Sequence, residues 1–365
     1  ETIQIRKPGD PPGNGFYLDG GSVNYQNITV TVSRPMILGP AGGQVNTTGY
    51  NTLTYSGPIT GPGRFTCPGS TYTGPLRLTS PSNTYGGGTA IPGKMSVMAN
   101  SSLGIGDVIV MGTLNLYGDH NIGGGDCYGS ATTQRQARLS IESFGVVNFF
   151  SVVPSVGSLS GAGTITLTNN AVLAMGGDNS STIYAGLIQQ NTGTGGGLNK
   201  TGDGTFVFKG RSTVTGTTVV DAGTFEADGV MSGGIMVNTG GTLSGGGSVG
   251  SLTLNAGATQ IVNIASATRY EQMVVSGAVN LNGGVLVIGC NYIPAPDATF
   301  CIVRNTGGSS IHGTYGGLIE GSRVDLGNGY NGQITYAGTA DATPGNDIII
   351  HNIGKFNRGT VIRIR

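Results

Sequence analysis

The sequence predicts an all-β protein and, within that class, a β-solenoid. Three observations carry this reading. The residues that helices depend on are scarce, short apolar–polar alternations recur along the chain, and the length exceeds what one sandwich or barrel core usually holds. Of 365 residues, 69 are Gly and 15 are Pro, where average usage would give about 12% for the two together. Charged residues are 10% of the chain, against about 25% in ordinary soluble domains. Gly is costly inside helices and the strong helix formers are missing, so a helical bundle is excluded. Hydrophobic residues still make up 37%, enough for a core and too many for a disordered chain.

The strand candidates follow in order. Ile28–Val32, Thr113–Tyr117, Thr164–Thr168, Thr205–Phe208 and Ser251–Leu254 each alternate with period two, the signature of a strand with one buried face. Gly, Asn, Asp or Pro bounds each run. The best Gly-free candidates for a helix, Ala131–Phe144 and Ala258–Ser276, carry more alternation than i, i+4 periodicity. A sandwich or barrel rarely passes about 250 residues around one core, whereas a solenoid grows coil by coil.

Internal repetition favours the solenoid. Asn83–Ile91, followed by Pro92-Gly93-Lys94-Met95, aligns with Ser212–Val220, followed by Asp221-Ala222-Gly223-Thr224-Phe225. Both copies read as strand, tight turn, strand. Val237-Asn238-Thr239-Gly240 and Leu254-Asn255-Ala256-Gly257 repeat a turn in which Asn and Gly can supply the positive φ of a corner.

The segment from Leu198-Asn199-Lys200-Thr201-Gly202-Asp203-Gly204-Thr205-Phe206, through Thr217–Phe225, to Gly241-Thr242-Leu243-Ser244-Gly245-Gly246-Gly247 resembles the autotransporter-associated β-strand repeat of bacterial surface proteins. Leu76–Met95 is a looser copy. Tyr270–Gly277 through Val285–Val287, Gly313–Tyr315, Ile334–Tyr336 and Gly345–Ile350 resemble the segment C-terminal to the last repeat in such proteins. The resemblance covers roughly residues 57–353. It implies a right-handed parallel β-helix displayed at the cell surface, and it departs from the family in showing no membrane β-barrel after Ile353.

The expected organisation is an N-terminal strand-like arm at 1–14, a β-solenoid at 15–265, a β-rich C-terminal module at 266–353 and a basic strand-like tail at 354–365. A first residue of Glu1 rather than Met is read as a processed, secreted chain. The four cysteines, Cys67, Cys127, Cys290 and Cys301, have no C-x-x-C spacing and no nearby His, which disfavours zinc. They are read as disulfide-forming in an oxidising compartment. Two prolines between Cys290 and Cys301 favour a turn that pairs them, leaving Cys67 with Cys127. The expected location is therefore extracellular, on the bacterial cell surface.

Formal net charge is zero, which removes the basic footprint of a nucleic-acid binder. No apolar run approaches the length of a membrane span. β-Helices also host polysaccharide lyases and hydrolases, whose sites need converging carboxylates. No two acidic residues are adjacent in this chain, and Asp178, Asp203, Asp221 and Asp228 sit in turn contexts that suit local capping. His120, His312 and His351 are far apart. No catalytic, cofactor or metal site is expected, and the reading is non-enzymatic.

The two termini stand outside the repeat. Thr2–Lys7 and Thr360–Arg365 are short, strictly alternating segments, and a solenoid's end coils expose edges that invite strand addition. Ile3, Ile5, Val361, Ile362 and Ile364 are the candidate self-association residues. The expected partner is the chain itself, head to tail in a filament. An adhesin that binds surface glycans or a host surface is the alternative, and a carbohydrate-active β-helix enzyme the weaker one.

Overall fold

A computed structural model describes residues 15–26, 28–49, 51–68, 75–98, 103–118, 137–150, 153–168, 170–191, 195–340 and 345–355. Among them every regular element is a strand, and no helix occurs. The strands stack in parallel into about 11 solenoid turns. The chain divides into two compact units, Glu1–Thr218 and Val219–Arg365.

In the first unit the chain visits three faces in turn. Phe16–Leu18, Gly21–Gln26 and Val30–Val32 form the first coil, and each pairs in parallel with a strand of the next coil at Met36–Leu38, Gly43–Thr48 and Leu53–Tyr55. The second face runs on to Thr205–Phe208 and the third to Arg211–Ser212. The first face ends at Ile59–Thr60, and its place in the coil order is taken later by Val172–Met175 and Gly197–Lys200.

Alternation explains the core. Leu76, Met95, Leu114, Val147, Ile165 and Ile188 occupy one register column of the third face and are fully buried. Two residues further along, Leu78, Val97, Leu116, Phe149 and Leu167 form a second inward column. Each such side chain contributes about 1.5–3 kcal/mol through burial, and the column only needs the coils above and below it.

The corners explain the glycines. Where the second face turns into the third, the chain reads Pro92-Gly93, Met111-Gly112, Phe144-Gly145, Ala162-Gly163, Ala185-Gly186 and Lys209-Gly210. A Cβ on Gly112, Gly186 or Gly210 would overlap the carbonyl oxygen of Gly93, Gly163 or Gly186 in the preceding coil. These glycines stack because backbone touches backbone there, whatever their φ.

The second unit carries the same three-face order. Gly223–Ala227, Gly241–Ser244, Thr259–Ile264 and Val285–Cys290 line one face; Ile235–Val237, Leu252–Leu254, Val279–Asn280 and Ile311–His312 line another. Parallel pairing thus continues beyond residue 265. At the corner read from Val237–Gly240 and Leu254–Gly257, Gly240 and Gly257 have φ of 88° and 78°, the left-handed conformation expected of that turn. Asn238 and Asn255 build an amide ladder beside them: Asn255 Nδ2 donates to Asn238 Oδ1, and Asn238 Nδ2 to Asp221 Oδ1, both at 2.8 Å.

The two aligned repeat copies occupy different corners. Thr89–Ile91 and Lys94–Val97 lie on the second and third faces, whereas Thr218–Val220 and Gly223–Ala227 lie on the first and second. Strand–turn–strand is common to every corner of a triangular coil, so the pattern alone does not say which corner it builds.

Candidate functional site

Two contrasting edges and one buried cation hold the chemistry of interest. The first-coil strands Phe16–Leu18, Gly21–Gln26 and Val30–Val32 each stand first in their sheet, with no preceding partner among the described residues. Gly21–Gln26 is a six-residue edge without a charge or a proline, two of the devices that blunt such edges. Asn46 Nδ2 donates to Asn24 Oδ1 at 2.6 Å, so the edge carries the end of an amide ladder.

The last coil of the second unit is closed on its third face, whereas Val285–Cys290 and Ile311–His312 stand last in their own sheets among the described residues. Phe300–Asn305 pairs antiparallel with Asp347–Lys355, which pairs antiparallel with Tyr330–Gly338, which pairs antiparallel with Arg323–Gly327. That outermost strand carries Arg323 and Asp325 and a register shift at Gly327, features of a protected edge. A buried latch ties the closure down. Asp347, fully buried, accepts from Asn305 N at 2.8 Å and from Ala340 N at 2.6 Å. Asn346 Nδ2 donates to the carbonyls of Asn305 and Gly307.

Tyr315 plugs the core of the same unit. Its hydroxyl donates to Gln260 Oε1 at 2.7 Å, satisfying a polar side chain in an inward column shared with Phe225 and Leu243. Burial pushes the Tyr315 phenol well above its usual range. Tyr336 Oη donates to Leu318 O at 2.6 Å and accepts from Tyr315 N at 3.2 Å, and Glu320 accepts from Tyr336 N.

Lys200 is the residue that sequence reasoning passed over. It alternates with Leu198 on Gly197–Lys200, and both are 1% exposed. Its ammonium donates to Thr201 O and Gly202 O, each at 2.7 Å. Burial lowers its pKa to about 8 against the pull of Asp203 and Asp178. A narrow pocket beside it, lined by Ser158, Met175, Ser180, Thr182 and Phe206, is too tight for a water molecule. The visible signal was a lysine in an inward slot of an alternating strand.

On the outer surface of the third face, Tyr117 and Phe150 stack with centroids 4.5 Å apart and planes at 7°. Beside them Asn148 Nδ2 donates to Asn115 Oδ1, and Asn115 Nδ2 to Ser96 Oγ.

The expected disulfide between Cys290 and Cys301 is not formed: both are buried thiols. Cys290 closes a strand of the second face and Cys301 lies in a strand of the third, so the intervening turn leads across a corner and does not bring the two strands together as a hairpin. Each sulfur instead donates to a carbonyl two residues along, Tyr292 O or Val303 O. Cys67 is likewise a buried thiol, pushed up to about 12 by burial, and Cys127 lies outside the described residues. Ile3, Ile5, Val361, Ile362, Ile364 and His120 also lie outside them. Asp178 caps its own turn by accepting from Ser180 N. No group of three metal-ligating side chains occurs among the described residues, and no helix among them is long and apolar enough to cross a membrane. Comparisons with family models, with curated proteins and with solved structures returned no match.

Proposed function

We propose that this chain is a non-enzymatic structural protein of the bacterial cell surface that associates with itself, head to tail, by strand addition. The observation that carries the reading is the contrast between two edges. The first coil offers an uncharged, proline-free strand of six residues at Gly21–Gln26, while on the third face the last coil is closed by its own antiparallel strands. An open parallel edge accepts a strand at a spacing of about 4.8 Å with no new fold needed. The donor is the tail beyond Lys355, through Val361, Ile362 and Ile364. A contact of this kind does not close on itself and so builds a filament. Deleting residues 356–365 leaves the Asp347–Lys355 strand intact and should abolish sedimentable assemblies. Ordinary assembly by the deleted protein would overturn the reading.

A glycan-binding adhesin is the second reading, favoured by the stacked Tyr117–Phe150 pair beside the Asn115–Asn148 ladder. Aromatic faces pack against sugar rings while amides bond their hydroxyls. Loss of cell-surface glycan binding in Phe150→Ala, with assembly unchanged, would support it over the first.

A further inference from the structure

We infer that the outer surface of the third face in the first unit binds a linear acidic polysaccharide laid along the coils. Its carboxylates are held by Arg77 and Lys94 at one end and by Arg211 at the other. The inference rests on the glycan reading above and narrows it to one class of chain. Two outward register columns carry it. Lys94, Thr113, Val146, Thr164, Leu187 and Arg211 stand one above another. Arg77, Ser96, Asn115, Asn148, Thr166 and Gln189 form the column beside them.

Charge is the first argument. On the third-face strands from Leu76–Leu78 to Arg211–Ser212 the charged residues are Arg77, Lys94 and Arg211, all basic and all exposed. The acid nearest to these strands in sequence, Glu142, lies before the corner at Phe144-Gly145. Arg77 and Lys94 are diagonal neighbours on adjacent strands. Arg211 stands five strands beyond Lys94, about 24 Å along the stack. A single small anion cannot reach both ends. A chain can, and each coil advances it by about 4.8 Å, close to the length of one sugar unit.

The stretch between the cations is neutral and polar, which selects a sugar over a phosphate polymer. Thr113, Asn148, Thr164 and Gln189 are half-buried outward side chains, one on each intervening strand. Each can bond a sugar hydroxyl, whereas a polyphosphate carries a charge on every unit and meets no cation on these four strands. The amides are held before any ligand arrives. Asn115 Nδ2 donates to Ser96 Oγ, Asn148 Nδ2 to Asn115 Oδ1 and Gln189 Nε2 to Thr166 Oγ1, so little rotamer freedom is left to lose on binding. Two residues past the ladder, the Tyr117–Phe150 stack adds an apolar rim that suits the C–H surface of a sugar ring.

Isothermal titration calorimetry of the full chain tests this, with a galacturonate oligomer long enough to span both ends. The oligomer should bind, and more weakly as salt rises. Lys94→Gln with Arg211→Gln should weaken binding about three- to tenfold. Arg64→Gln with Arg138→Gln removes the same charge at the second face and should leave binding unchanged. Circular dichroism of both variants should match the parent. No loss in the first pair, equal loss in both pairs, or tighter binding of a polyphosphate of equal length would each overturn the inference. Equal binding of uncharged dextran, lost in Phe150→Ala, would overturn the acidic ligand and keep the glycan reading. Binding of neither sugar would overturn both.

Discussion

Replacing Gly106 with Ala should destabilise the first unit far more than the same change one coil earlier at Gly86. A Cβ at Gly106 would lie 2.5 Å from Gly88 N, 2.6 Å from Gly86 O and 2.8 Å from Gly88 Cα, all backbone atoms of the preceding coil. Real Cβ contacts do not fall below 3.0 Å, so the coils must part by about half an ångström. The ladder bonds on either side, Ile105 N to Tyr85 O at 3.0 Å and Thr89 N to Asp107 O at 2.8 Å, oppose that movement. Overpacking of this kind costs about 1–3 kcal/mol. At Gly86 the nearest atoms to a Cβ are 3.9 Å away and φ is not left-handed. There the Ala should be neutral or stabilise by about 0.4–1 kcal/mol, through lost freedom in the unfolded chain. Urea unfolding followed by far-ultraviolet circular dichroism would separate the two proteins by about 1–4 kcal/mol. Equal midpoints would refute the claim that backbone contact between coils, and not turn flexibility, demands these glycines.

The other predictions concern the polar groups that burial has made expensive. Because burial lowers the Lys200 pKa to about 8 from 10.5, its protonated form favours the unfolded chain. Stability should therefore rise between pH 8 and 10.5, by at most about 3 kcal/mol and by less where solvent at the turn screens the ammonium. Lys200→Met should remove that rise in pH-dependent unfolding. The buried phenols oppose it at the upper end: Tyr184 and Tyr315 have pKa values raised above 10, so their contribution is complete below about pH 10 and is lost at higher pH. Tyr315→Phe should cost about 1–3 kcal/mol by leaving Gln260 unpaired in the core, and Gln260→Leu in the same protein should recover part of it in thermal unfolding. Asp347→Ala strips the acceptor from two backbone N–H groups at about 1–3 kcal/mol each; hydrogen exchange should show Asp347–Lys355 losing protection before Thr259–Ile264 does.

Much of the fold was legible because a parallel coil writes its geometry residue by residue. Thr164–Thr168 and Thr205–Phe208 alternate in sequence, and the strands fall at Thr164–Leu167 and Thr205–Phe208. The Asn-x-Gly corners were also legible, since only a few residues reach positive φ without strain. The antiparallel closure was not. Tyr330–Gly338 and Asp347–Lys355 alternate like any strand, and pairing direction leaves no mark on a single strand's pattern. The pairing of Cys290 with Cys301 failed for a related reason: sequence separation says nothing about which face a strand joins, and a corner lies between the two. Lys200 was hidden by its chemistry, because a lysine within a Gly- and Asp-rich motif reads as solvated until the inward parity of Leu198 is applied to it. The edge at Gly21–Gln26 could be found only once its neighbours were placed, since an unpaired strand and a paired one have the same alternation.

Electron microscopy of the purified chain at rising concentration, beside the chain lacking residues 356–365, tests the self-association account most directly. The full chain should form long filaments of uniform width, and the chain lacking residues 356–365 should not. Isolated single subunits at every concentration, with the solenoid's circular dichroism spectrum unchanged, would contradict it.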